Sequence, residues 1–248
     1  MDWDTLSRRL SVIDQDNYRS TVSPFNPNKP DNFWITKNID FMQWESVDSQ
    51  ALLLSAPPGH GTTEVCSHVI DLAKKKASQT NSYVLYFFAS STTDAMSSTN
   101  FAHTLLQQIV CCSNAKHADY IATTFLGTLL RRHFQRPTQA FKKDDEPDTT
   151  IENILRAPDD VLIEALLEVI KKTGIQELSV VVDGMSEDIA RLVFKYSMRA
   201  IRKLKALFTI DESPKYGEIL DRMTCIEYDK ERKGLHIRRH SVAYISAD

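Results

Sequence analysis

The stretch Ala51-Leu52-Leu53-Leu54-Ser55-Ala56-Pro57-Pro58-Gly59-His60-Gly61-Thr62-Thr63-Glu64-Val65 decides the fold. An apolar run from Ala51 to Ser55 reads as a buried strand, a Gly/Pro turn follows, and a helix opens at Thr62. That is the layout of a phosphate-binding loop, G-x-x-x-x-G-K-[ST], in which backbone N–H groups and a helix N-terminus cradle an anion. With Gly61 at the sixth motif position, Ala56 stands at the first, Thr62 at the lysine and Thr63 at the Ser/Thr. The loop keeps its second glycine and its hydroxyl. It lacks its first glycine and its lysine.

Downstream, residues 63–76 carry a helical pattern with Val65, Val69, Ile70, Leu72 and Ala73 on one side. Lys74-Lys75-Lys76 in the last turn suits the negative end of the helix dipole, which explains the lysine run without a partner. The aromatic run Ser82 to Phe88 reads as the second strand. Helices are expected over 101–112, 121–133, 159–172, 189–203 and 214–221. Strands are expected at 178–182, where Leu-Ser-Val-Val-Val ends in Asp183, and at 206–209 and 225–228. Strands alternating with helices imply βαβ units and a mainly parallel sheet with helices on both faces, a P-loop NTPase-like three-layer α/β sandwich.

Upstream, residues 1–50 read as a leading segment. A short amphipathic helix is expected over 3–10, and a turn-rich linker at 20–32 with Pro24, Pro27 and Pro30. Phe33-Trp34-Ile35 and Phe41-Met42-Gln43-Trp44 read as helix-face packing onto the domain rather than a ligand-stacking surface. The domain itself is expected over 51–228, with an exposed, mobile insertion near 137–150 marked by Lys142-Lys143-Asp144-Asp145-Glu146. Residues 229–248 are expected to form a solvated basic tail.

At 248 residues, 42% hydrophobic and 25% charged, the chain has the composition of a soluble globular protein with a sizeable core. A formal net charge of −3 gives no global push towards nucleic acid or an anionic membrane. No apolar run approaches the roughly 18 residues of a membrane helix, and Met1-Asp2-Trp3-Asp4 does not open a secretory leader. The four cysteines (Cys66, Cys111, Cys112 and Cys225) have no metal-ligand spacing and fall in stretches that read as core. A reducing, cytoplasmic compartment is therefore expected.

About 120 residues after the loop, the strand ending in Asp183 reads as the acid-bearing partner of a phosphate-binding loop. Asp183 would hold Mg²⁺ through water while Thr63 supplies a hydroxyl ligand. Glu187 is the candidate to orient an attacking water, or else a carboxylate at the start of the following helix.

Asn32-Phe33-Trp34-Ile35, Asp40-Phe41-Met42-Gln43-Trp44, the loop from Ala56 to Thr63, Tyr83 to Phe88 and Val180 to Glu187 recur in a known order. Over residues 30–228 the chain thereby resembles the nucleotide-binding domain of fungal NACHT-type STAND NTPases with a nephrocystin-3-like N-terminal domain. The resemblance implies nucleotide contacts from Gly59, His60, Gly61, Thr62 and Thr63. It also implies a signalling role in which nucleotide state controls oligomerisation. Two departures stand out. The family's Asp-Ala-Leu-Asp-Glu is here Asp183-Gly184-Met185-Ser186-Glu187, and its Thr-Ser-Arg is here Thr209-Ile210-Asp211, a carboxylate in place of a phosphate-sensing cation. In that family helical domains and repeats follow, so a truncated product, a decoy and one piece of a longer receptor all remain open.

The missing lysine weighs most. A cation about 4 Å from phosphate is worth roughly 4 kcal/mol at an effective dielectric near 20, or about three decades of affinity. Asp211 and Glu64 would add repulsion, and Ala56 would cost a further ~1–2 kcal/mol if its position needs a left-handed backbone. The expectation is a degenerate domain that binds ATP or GTP with Mg²⁺ weakly, hydrolyses neither efficiently, and acts as a module for protein partners. No nucleic acid or membrane partner is expected, and oligomerisation is left open. The alternative is an active Mg²⁺-dependent ATPase or GTPase with a lysine-independent loop, its cation drawn from Lys74 or a partner. An unrelated small-molecule enzyme has no triad, zinc cluster or dinucleotide fingerprint to support it.

Overall fold

Strand β1 (Gln50–Ser55) lies inside a six-stranded sheet. The computed structural model describes residues 3–10, 14–22, 34–46, 50–55, 61–79, 82–89, 98–111, 115–135, 155–172, 175, 177–184, 203–210, 224–229 and 234–239. The other strands are β2 (Ser82–Phe88), β3 (Glu177–Asp183), β4 (Lys203–Ile210), β5 (Thr224–Asp229) and β6 (Gly234–Arg239). Their order is β2-β3-β4-β1-β5-β6, with every pairing parallel except β5–β6. The mainly parallel α/β fold expected from the sequence is the fold observed. Strands β1 and β3 stand one strand apart, with β4 between them.

Among the described side chains, those of β1 to β4 are buried on both faces, which is why these strands read as continuous apolar runs. Leu53, Leu85, Phe87, Val180, Val182 and Phe208 bury one face. On the other, Leu52, Leu54, Val84, Tyr86, Phe88, Val181 and Leu207 form a core with Val65, Cys66, Val69 and Ile70 of α4 (Thr62–Ala77). Ile35, Phe41 and Trp44 join the same core, so these residues are packing groups as expected. They come from a 3-10 turn (Trp34–Lys37) and from α3 (Ile39–Ser46), whose first turn is capped by Asn38 Oδ1 accepting from the Phe41 N–H at 3.1 Å.

The chain is organised as two compact units. The sheet unit comprises residues 14–90, 176–191 and 202–248, and includes a polar helix α2 (Gln15–Val22). The helical unit comprises residues 1–13, 91–175 and 192–201. Its described helices are α1 (Trp3–Ser7), α5 (Ser98–Cys111), α6 (Ala115–Gln135) and α7 (Asp159–Lys172). Within it Arg132 pairs with Glu164 at 3.1 Å, and the backbone N–H of Trp3 donates to Asp119 at 2.9 Å. His103 is buried edge-on against Phe125, and burial lowers its pKa to about 4.

Several boundaries differ from the sequence expectation. Lys203 begins β4 instead of ending a helix, because the apolar-alternating run Leu204-Lys205-Ala206-Leu207-Phe208 belongs to the sheet from its start. The basic stretch at Gly234–Arg239, expected to belong to a tail, is a strand paired with β5. It alternates Leu235 and Ile237 with His236 and Arg238, a period-two pattern that the charges obscured. Cys111 is exposed, whereas Cys66 is buried as expected. The linker residues 23–32, the insertion at 137–150, the helices expected at 189–202 and 214–221, and the tail beyond Arg239 lie outside the described residues. Among the described residues no helix is long and apolar enough to cross a membrane.

Candidate phosphate site at the carboxyl edge of the sheet

All five parallel strands point the same way, so the turn after β1 emerges on the edge where β3 ends in Asp183 and β4 reaches Thr209. The chain leaves β1 towards β2 and leaves β4 towards β5, in opposite directions along the sheet. Such reversals at the carboxyl edge are where open α/β sheets form ligand crevices.

Gly61 ends the turn with φ 82° and ψ 20°, a left-handed conformation suited to glycine. It sits directly before α4, whose N-terminus has no side-chain cap. The positive end of the dipole of a 16-residue helix therefore faces the loop side. Thr63, in the first turn of α4, donates its hydroxyl to Asp183 Oδ2 at 2.6 Å.

Asp183 is 7% exposed. A buried carboxylate needs donors, and β4 supplies one: Thr209 Oγ1 donates to Asp183 Oδ1 at 2.5 Å. The same Thr209 oxygen accepts from the Gly184 N–H at 2.9 Å. Gly184 has φ 72°, and a Cβ there would lie 3.3 Å from the Ala89 carbonyl oxygen, so glycine is required twice over. Asp183 also anchors β2, its carbonyl accepting from the Ala89 N–H at 2.8 Å. Below the carboxylate lies the Cys66 sulfur at 3.9 Å. Burial, with the Asp183 charge beside it, pushes the Cys66 thiol well above its ordinary pKa, so it is an inert packing group.

The geometry thus brings together Gly61, Thr62, Thr63 and Asp183 from the sequence candidates. Gly59, His60, Glu187 and Asp211 lie outside the described residues. A family model, nephrocystin 3, N-terminal, matches residues 32–209. The chain belongs to this family. The matched region of the nephrocystin 3 N-terminal domain runs from the segment ahead of the 3-10 turn to Thr209, and so takes in both donors to Asp183. No curated protein matches the chain. Among solved structures, that of the Aeropyrum pernix ORC2 protein in ADPNP–ADP complexes is similar over 75% of this chain, at 11% identity and a TM-score of 0.41. The chain spans 43% of that structure's length.

Within this nephrocystin 3 N-terminal domain, Lys74 is not placed to replace the loop lysine. It stands twelve positions after Thr62 on α4, about 18 Å along the helix axis. There its Nζ bonds to the Tyr86 hydroxyl at 2.9 Å and reaches Asp16 at 3.5 Å. Thr209, the second hydroxyl bound to Asp183, is the partner hardest to find from sequence. Its role follows from β4 lying beside β3, and only the Thr-Ser-Arg correspondence hinted at it.

Thr63, Thr209 and Asp183 form an all-oxygen donor set of the kind a hard cation accepts. Bound Mg²⁺ would neutralise phosphate charge there. The chain's own contribution would be Thr63 and Asp183 to hold the ion, and the positive end of the α4 dipole to orient the phosphate. Among the described residues, Thr62 at the lysine position brings no charge.

Proposed function

We propose that this is a degenerate nucleotide-binding module: a STAND/NACHT-like domain that takes Mg²⁺-ATP or Mg²⁺-GTP weakly, hydrolyses neither at a useful rate, and serves a signalling or scaffolding role for protein partners in the cytoplasm. One observation carries the reading. The left-handed Gly61 directly before α4 and the Thr63–Asp183 bond support a helix start suited to phosphate, while Thr62 stands where the loop motif has its lysine. Among the described residues, the start of α4 has the backbone geometry such a site uses, and Thr62 brings no cation. Because a helix N-terminus favours an anion, weak phosphate binding fits the geometry better than none.

The test is nucleotide titration with Mg²⁺ by calorimetry, alongside a phosphate-release assay. The expected result is weak or undetectable binding and no basal ATP or GTP hydrolysis. Thr62→Lys should raise affinity by up to about three decades, the value of a close lysine–phosphate pair. No gain from Thr62→Lys would mean that something other than the missing cation limits the site. Robust hydrolysis by the unaltered protein would favour the lysine-independent NTPase instead.

A further inference from the structure

Helix α2 is short, polar and attached along one face. Its sequence is Gln15-Asp16-Asn17-Tyr18-Arg19-Ser20-Thr21-Val22, eight residues, below the roughly 12–15 at which an isolated helix becomes even marginal in water. Its persistence therefore depends on what holds it. Gln15, Asp16, Tyr18 and Arg19, the i, i+1, i+3 and i+4 positions, each grip the sheet unit. Ser20 and Thr21 only bond back to the Asn17 carbonyl.

The grips are specific. Gln15 Oε1 accepts from the Phe88 N–H at 2.6 Å, capping β2 at the outer edge of the sheet. Asp16 accepts from the Tyr86 hydroxyl at 2.6 Å, with Lys74 alongside at 3.5 Å. The Tyr18 ring lies 5.9 Å from that of Phe88. Arg19 donates to the Ser67 hydroxyl at 2.8 Å and the Ser67 carbonyl at 3.0 Å, and pairs with Asp71 at 2.5 Å. All but the Tyr18 contact are polar, and water can replace them.

Gln15 is 3% exposed, yet its Nε2 has no hydrogen-bond partner among the described residues. Turning the amide round would not help, since the Phe88 N–H demands the oxygen. A buried, unsatisfied donor inside an otherwise polar attachment favours release. The location gives release a consequence. The chain enters the sheet unit at Asp14 and leaves it after Ser90, so the Gln15–Phe88 bond ties the way in to the way out. Phe88 is also the register partner of Asp183, and Ser67 lies one turn beyond Thr63 on α4.

We infer that α2 is a releasable latch. Docked, it pins the incoming chain to the carboxyl end of β2. Released, it frees the outer edge of β2 and loosens the two elements beside the Thr63–Asp183 pair, while the rest of the sheet stays folded. Segments that open in this way do so below the free energy of global unfolding.

Amide hydrogen exchange on the full chain tests the latch. Arg19→Ala should speed exchange across α2 and at the Phe88 amide by about tenfold, the size expected for a lost charge-assisted bond. Amides of β1 and β3 should keep their wild-type rates. Arg19→Lys should lie between the two. Should Arg19→Ala fail to fold, Asp16→Asn tests the same attachment and should show the same local pattern. Equal acceleration throughout the sheet would make α2 an integral part of the cooperative core and overturn the latch. No acceleration at α2 or Phe88 would overturn it as well.

Discussion

Two carboxylates of the sheet unit each accept a short hydrogen bond from a hydroxyl, in opposite surroundings. Asp183, 7% exposed, holds Thr63 and Thr209 at the ends of α4 and β4. Asp16, with its side chain 74% exposed, holds the Tyr86 hydroxyl and reaches Lys74. The difference shows what burial demands. A carboxylate withdrawn from water must be met by fixed donors, and removing one leaves the rest unbalanced. A carboxylate at the surface has water in reserve, so the same bond contributes less and a nearby lysine adds little. The first arrangement specifies the site; the second holds a detachable helix.

Substitution of the buried acid should break the comparison most visibly. Asp183→Asn keeps the shape but loses the charge and turns an amide NH₂ towards a hydroxyl that was a donor. The expected cost is ~1.5–3 kcal/mol, read as a lower denaturant midpoint in nucleotide-free buffer, with or without Mg²⁺. If the variant melts like the parent protein but abolishes a nucleotide hydrolysis that the parent performs, Asp183 is a metal-holding residue of an active enzyme and not a structural acceptor.

Thr209→Val should come next. Valine matches the shape but removes both the donor to Asp183 and the acceptor for the Gly184 N–H. With Thr63 still in place, a loss of ~1–2 kcal/mol is expected. The double variant Thr63→Val/Thr209→Val should cost more than the sum of the singles, because the second change strips the last described hydroxyl from the same buried charge. Additive effects would show that the two bonds act independently.

The same contrast explains what the sequence disclosed. Ser82–Phe88 and Asp159–Lys172 carried dense, periodic apolar patterns, and both were legible to the residue. The helix start at Thr62 was legible as well, because a Gly/Pro-rich stretch ending in Gly61 precedes it. What escaped was relational. Thr209 could be assigned to Asp183 only once β4 was known to lie between β1 and β3. Helix α2 has no apolar periodicity, and its Gln15–Phe88 and Asp16–Tyr86 bonds span 73 and 70 residues. β6 was hidden because Arg238 and Arg239 outweighed Leu235 and Ile237 in a reading by composition.

The smallest effect belongs to the exposed acid, and it carries a pH signature. Tyr86→Phe removes the hydroxyl that Asp16 and Lys74 share, yet both of those side chains can turn to water, so a loss of only about 0.5–1 kcal/mol is expected near pH 7. Partial burial works to raise the Asp16 pKa, but the Tyr86 hydrogen bond and the Lys74 charge outweigh it and hold the carboxyl below its ordinary 3.8. A carboxyl depressed in the folded state contributes stability above its unfolded pKa and loses it as pH falls through the folded value. The gap between parent and Tyr86→Phe should therefore stay constant from about pH 7 to pH 5 and narrow below about pH 4. Urea midpoints at those pH values would measure it. If Tyr86→Phe cost as much as Asp183→Asn, or if its gap widened in acid, exposure would not be what separates the two carboxylates, and α2 would belong to the core it is proposed to leave.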